Sequence, residues 1–167
     1  ELKELGADWV IIDTPARLQD VVLNAADLAD LVIVPAKATI KDLERVEDSI
    51  KLACMNTMKP AFVVFNQVRP QKARSEDAER AIAAQRYPVC PVRIGFRVAY
   101  EDSDMTGQTP LETEPAGKAA HEIRQLYRYV KKLEKEITRE GVNILTSEDV
   151  NKLTSMNVKK GRKAANG

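Results

Sequence analysis

The chain has 167 residues, 44% of them hydrophobic and 31% charged, enough for one domain with a buried core. Lys and Arg number 26 against 25 Asp and Glu, a net charge of +1, which excludes a uniformly basic nucleic-acid coat protein. Aromatic residues make up 5%, with one His and two Cys, which argues against a base-stacking sheet, a zinc cluster or a disulfide scaffold.

In chain order, Trp9-Val10-Ile11-Ile12 reads as a buried strand ending at Asp13-Thr14-Pro15. A helix is predicted from about Leu18 to Ala29, with Val21, Ala25 and Leu28 on one face. Leu31-Val32-Ile33-Val34 is a second apolar strand, closed by Pro35. Ile40, Leu43, Val46, Ile50 and Ala53 recur at steps of three and four, the period of an amphipathic helix, with Thr39 as N-cap and Asp42 at the positive end of the dipole. Ala61 to Phe65 is a third strand ending at Asn66. A helix opens at Ser75 and runs to about Arg86, and Pro88 to Ile94 makes a weaker strand through Val89, Val92 and Ile94. Arg97 to Met105 reads as a short helix stopped near Gly107. Pro115 begins a long one with Ala119, Ile123, Leu126, Val130, Leu133 and Ile137 on its apolar face. Cys54 and Cys90 read as small core residues in a reducing compartment, and His121 as a surface residue.

Continuous apolar strands alternating with amphipathic helices predict an α/β fold with a doubly wound, mostly parallel sheet and helices on both faces. No stretch reaches the roughly 20 apolar residues needed to span a bilayer. In open parallel sheets, ligands bind at the carboxyl ends of the strands, which singles out Asp13-Thr14-Pro15, the loop after Pro35, and Asn66-Gln67. An acid directly after an apolar strand is placed to hold Mg²⁺ through water beside bound phosphates; the alternative is that Asp13 caps the turn before Pro15, and the run Val10-Ile11-Ile12-Asp13 is by itself a weak signal. Asn66 carries an amide that donates and accepts at once, as an adenine edge requires, or it bonds its own turn.

The ordered segments Asp8 to Pro15, Ala26 to Pro35 and Phe65-Asn66, with Arg97-Val98-Ala99-Tyr100, Thr106-Gly107-Gln108 and Leu111-Glu112, resemble the ParA/MinD family of deviant-Walker ATPases. The nearest likeness is to ParA-like plasmid and chromosome partition proteins. The resemblance spans roughly residues 5–135. It implies a P-loop NTPase-like domain over residues 1–139, followed by a polar, basic tail at 140–167. It also implies ATP and Mg²⁺ as cofactors, with Asp13 as the metal-linked acid and Thr14-Pro15 as the segment that senses the γ-phosphate. Asn66 is implied at the adenine edge, and Ile94, Gly95 and Phe96 flanking the base. As partners it implies non-specific DNA, a second copy held by ATP, and a partition protein that stimulates hydrolysis, on the nucleoid in the cytoplasm.

Three departures stand beside the likeness. Ala16-Arg17 follows Pro15 where the family has a second proline or glycine, and Gly95 follows Ile94 where the family commonly has proline. No Gly-rich phosphate loop with its Lys and Ser/Thr occurs, Gly6 being the only glycine in the first 94 residues. The family carries that loop upstream of the aspartate motif, on a strand beside it. The chain, which opens on Glu1, is therefore expected to be the carboxyl-terminal part of a longer protein, poorly stable and inactive toward ATP by itself. The alternative is a non-catalytic α/β regulatory or binding module of the same fold.

Charge is uneven: residues 128–163 hold ten basic and five acidic side chains, leaving the remainder mildly acidic. Candidates for sequence-blind phosphate contacts are Arg69, Lys72 and Arg74 after Asn66, and Lys131, Lys132 and Lys135 on the last helix. Each reads equally as part of a solvated face. The tail beyond Ile144 is too polar for a membrane-binding helix.

Overall fold

A computed structural model describes residues 6–15, 19–39, 42, 45–46, 48–50, 60–69, 76–77, 80–82 and 88–140. Its named elements are α1 (Gln19–Leu28), β1 (Val32–Ala36), β2 (Ala61–Phe65), α2 (Val98–Met105), α3 (Pro110–Thr113) and α4 (Lys118–Glu140). Residues 42–50 and 76–82 are helical wherever they are described. The chain is thus α/β, built on a small parallel sheet.

The sheet pairs β1 with β2 in the register Val32↔Ala61 to Ala36↔Phe65. All five residues of β2 are buried, the mark of a strand covered on both faces. The period of two then divides its side chains between two cores. Val63 and Phe65 pack with Val34, Ala36, Val46, Ile50 and Ile82, while Phe62 and Val64 pack with Cys90, Ile94, Tyr129 and Leu133. Helical residues therefore cover one face and α4 the other.

Residues 88–96 run along the outer edge of β2. Val63 N–H donates to Pro88 O and Cys90 N–H to Val63 O, at 2.8 and 2.7 Å. Ile94 N–H then donates to Phe65 O at 2.9 Å. Between these contacts the ladder skips, leaving isolated parallel bridges at Val63↔Val89 and Val68↔Gly95 in place of the predicted strand. Pro91 lies in the gap and has no N–H to give.

The predicted strand at Trp9–Ile12 does not form. The segment is extended without a strand partner, and its side chains are exposed, Ile11 at 89%. Among the described residues β1 pairs only with β2, so no neighbouring ladder takes up the backbone groups of residues 9–12. Trp9 is held by α4 instead: its Nε1–H donates to Glu134 Oε1 at 3.2 Å, and its ring meets Tyr127 at 5.3 Å between centroids. The predicted face of α1 is met only at Ala25, which is half-buried. Val21 and Leu28 are exposed while Ala26 is buried, and among the described residues neither core cluster contains a residue of this helix.

Other local expectations hold. Thr39 Oγ1 accepts from Asp42 N–H at 3.3 Å, and Val46 and Ile50 are buried. Ile40, Leu43, Ala53, Cys54 and Ser75 lie outside the described residues, as does the tail from 141 onward. The short helix α2 ends as predicted: Gly107 adopts φ 65°, the left-handed turn that ends helices, and Gln108 N–H closes back on Ser103 O at 2.9 Å. The long helix begins at Lys118 instead of Pro115, because residues 115–117 form a turn. All six residues of its predicted apolar face are buried or half-buried, and Tyr129 joins them, meeting Phe62 edge-on at 5.4 Å. No helix among the described residues is long and apolar enough to cross a membrane.

Candidate functional site

Two segments meet at the carboxyl end of β2. Val68 N–H donates to Ile94 O at 3.0 Å and Phe96 N–H to Val68 O at 2.9 Å, so residues 66–69 and 94–97 form one rim. Asn66 is half-buried there. Its Oδ1 accepts from Gln67 N–H at 2.8 Å, the local bond of a turn in which Gln67 takes φ 53°. The side-chain oxygen is thus engaged, and the amide NH₂ has no partner among the described residues. Ile94 is buried below, Phe96 is 48% exposed above, and the Arg69 guanidinium lies 5.4 Å from the Phe96 ring centroid. A flat apolar ring, a cation and an amide donor with no partner among the described residues, all on one rim, suit a planar, polar-edged heterocycle.

The rim is fastened from α4. Glu122 Oε2 accepts from Gly95 N–H at 3.1 Å and from Arg97 Nε–H at 3.0 Å, and Oε1 accepts from Arg97 Nη2–H at 2.5 Å. These bonds, with the carboxylate charge, hold the Arg97 guanidinium above its ordinary pKa. Burial raises the Tyr100 hydroxyl, and the charge of Glu122 adds to the shift. A Cβ on Gly95 would stand 3.1 Å from the Arg97 guanidinium, so glycine here lets the arginine fold back over the loop. Arg97 and Glu122 were not singled out by sequence reasoning as a pair. They lie 25 residues apart, and only the packing of α4 against the sheet unites them.

The other predicted residues are not brought to this rim. Asp13 and Pro15 are exposed and Thr14 half-buried, and none has a hydrogen bond or ion pair among the described residues. Mg²⁺ is ordinarily held by one or two carboxylates together with substrate phosphates. Asp13 supplies one carboxylate, and no group of three or more His, Cys, Asp or Glu among the described residues is able to hold a metal ion. Of the candidate phosphate contacts, Lys72 and Arg74 lie outside the described residues. Lys131 sits 5.7 Å from the Tyr127 ring centroid, and Lys132 Nζ is 3.8 Å from Glu136 Oε1. Lys135 is exposed.

Cys90, by contrast, lies in the core between β2 and α4. It is a buried free thiol, and burial pushes its pKa up to about 12. No protein-family model matches the chain, and no curated protein matches it.

Proposed function

We propose that the chain is the carboxyl-terminal part of a ParA-like ATPase and that the rim of residues 66–69 and 94–97 receives the adenine base of ATP. The observation that carries this reading is the bridge Val68↔Gly95, which gathers Asn66, Arg69, Gly95 and Phe96 at the carboxyl ends of adjacent parallel segments, where open sheets bind ligands. A doubly wound, P-loop-like sheet belongs to the same proposal. Its support is the parallel β1–β2 pair with helices on both faces and β1 paired on one edge among the described residues.

On this reading ATP with Mg²⁺ joins two copies, and Asp13, Thr14 and Pro15 act at the phosphate end. Lys131, Lys132 and Lys135 meet DNA without regard to sequence, and a partition protein triggers hydrolysis at the nucleoid. Phosphoryl transfer needs backbone N–H groups, a Lys and a metal converging on the phosphates. This sequence contains no Gly-rich loop to supply them, so the chain alone binds the base and does not hydrolyse ATP.

Saturation-transfer NMR on the 167-residue chain tests the base site. Adenosine and ATP are expected to show transfer at the adenine protons, with affinities within about threefold of each other because no phosphate cradle is present. The transfer is expected to be lost in Asn66→Ala. Equal transfer in the parent and Asn66→Ala, or none in the parent, overturns the assignment. The second reading, a non-catalytic module of the same fold, is favoured by the missing Gly-rich loop. It predicts a mass in solution that ATP does not change.

A further inference from the structure

We propose that Glu122 is the positioning residue of the 94–97 loop, holding Gly95 and Arg97 in place so that Phe96 keeps a fixed height at the rim; its effect on a bound base rests on the reading above. Backbone geometry makes the role necessary. Ile94 and Phe96 direct their N–H groups at Phe65 O and Val68 O, and the intervening Gly95 N–H turns the opposite way, toward α4. A peptide N–H facing protein needs an acceptor there, and Glu122 Oε2 supplies it at 3.1 Å.

The same carboxylate takes Arg97 through two nitrogens. A fork of this kind fixes direction as well as distance. The pair is shielded, with side-chain exposures of 31% for Arg97 and 15% for Glu122, so water screens it less than it would an open surface pair. Phe96, between the two held residues, is itself exposed.

The anchor sits on a helix packed into the core, and it holds the side of the loop that faces away from Phe65 and Val68. Glu122 follows Ala119 and Ala120, both buried, on a helix whose Tyr129 and Leu133 lie in the core against Phe62 and Val64. Movement of the loop away from the helix breaks three hydrogen bonds to one carboxylate together. The absence of a Cβ on Gly95 lets the guanidinium close over the loop. The contacts of Glu122 are to Gly95 and Arg97, and it acts through them.

The test uses the isotope-labelled full chain with Glu122→Ala and Glu122→Gln, the latter keeping shape and one acceptor oxygen while losing the charge. Amide exchange at Gly95 is read beside exchange at Val63 and Leu133, and adenosine is titrated as the probe. The expected result for Glu122→Ala is exchange at Gly95 faster by about tenfold and adenosine weaker by about tenfold, with the core amides unchanged. Glu122→Gln is expected to fall between, and it carries the test by itself should the alanine variant not fold. Unchanged Gly95 exchange in the folded variants overturns the proposal. So does faster exchange with adenosine affinity within about twofold of the parent. Should the parent bind no adenosine, the base-site reading fails, and Gly95 exchange alone then decides whether Glu122 holds the loop.

Discussion

The guanidinium of Arg69 rests 5.4 Å from the centre of the Phe96 ring, so a cation expected to meet nucleic-acid phosphates already has an aromatic partner on the rim of residues 66–69 and 94–97. Such a contact is worth about 0.5–1 kcal/mol at an exposed site. Lys131 has a ring partner in Tyr127 and Lys132 a carboxylate partner in Glu136. Lys135 has neither among the described residues and is therefore freer than Arg69, Lys131 or Lys132 to release counterions. Anisotropy titrations of duplex DNA across salt concentrations are expected to lose about one unit of slope in Lys135→Ala and clearly less in Arg69→Ala. Equal losses would show that Arg69 leaves Phe96 for the DNA, and binding indifferent to salt would remove the stripe altogether.

Burial separates two apolar runs that look alike in sequence. Phe62 of β2 is buried edge-on against Tyr129, and truncating such a residue costs about 3–5 kcal/mol. Ile11 is 89% exposed, and surface changes usually stay within about 0.5 kcal/mol. Urea unfolding is expected to place Phe62→Ala far below the parent and Ile11→Asp beside it. Comparable destabilisation by the two would mean that residues 9–12 are packed as a strand after all.

That contrast also shows where sequence reading ends. Ala61 to Phe65 and Trp9 to Ile12 carry the same strand signal, since both are short apolar runs ending at a polar residue. A strand is completed by its neighbours: β2 has β1 on one edge and residues 88–96 on the other, whereas Trp9 to Ile12 has none among the described residues. The face of α4 was legible because a period near 3.6 over 23 residues is a strong local signal. Asn66 was reachable by the rule that ligands gather at strand ends, whereas Gly95 and Phe96 were reached only through the family resemblance. The Glu122 clamp was not, because it depends on which turn of α4 lands beside the loop. Pro91 was visible in the sequence, and it explains the skipped ladder once β2 is seen to want a continuous partner.

The capping box that starts α3 sets a titration. Glu112 Oε2 accepts from Thr109 N–H and from Thr109 Oγ1–H, both at 2.8 Å. These bonds favour the charged carboxylate and hold its pKa below the ordinary 4.5. For a depressed acid the stabilisation is present above the ordinary carboxylate pKa and is lost as pH falls through the lower folded value. Thr109→Val removes the hydroxyl and keeps the backbone donor, so the Glu112 carboxyl followed by NMR is expected to titrate higher in the variant and still below 4.5. A titration at the same pH in both would dismiss the hydroxyl as a cause.

Cys90 provides the opposite sign. Its thiol is buried on the α4 side of β2, and its sulfur accepts from Val92 N–H at 3.4 Å, a weak bond beside the cost of burying a thiolate. Burial therefore dominates and raises the pKa from 9.0 to about 12. Folding favours the protonated thiol, so this contribution is complete below about pH 9 and drains away as pH rises toward 12. In a Cys54→Ser background, where Cys90 is the single thiol, disulfide reagents at about pH 8 are expected to label it only after unfolding. Between about pH 8 and about pH 10.5, that protein is expected to lose roughly 2 kcal/mol more stability than its Cys90→Ala counterpart, from 1.36 kcal/mol per pKa unit. Comparing the two removes the common titration of Lys and Tyr side chains. Parallel pH profiles, or rapid labelling of the native thiol, would mean that Cys90 reaches solvent and that the α4 side of the sheet opens more readily than its packing implies.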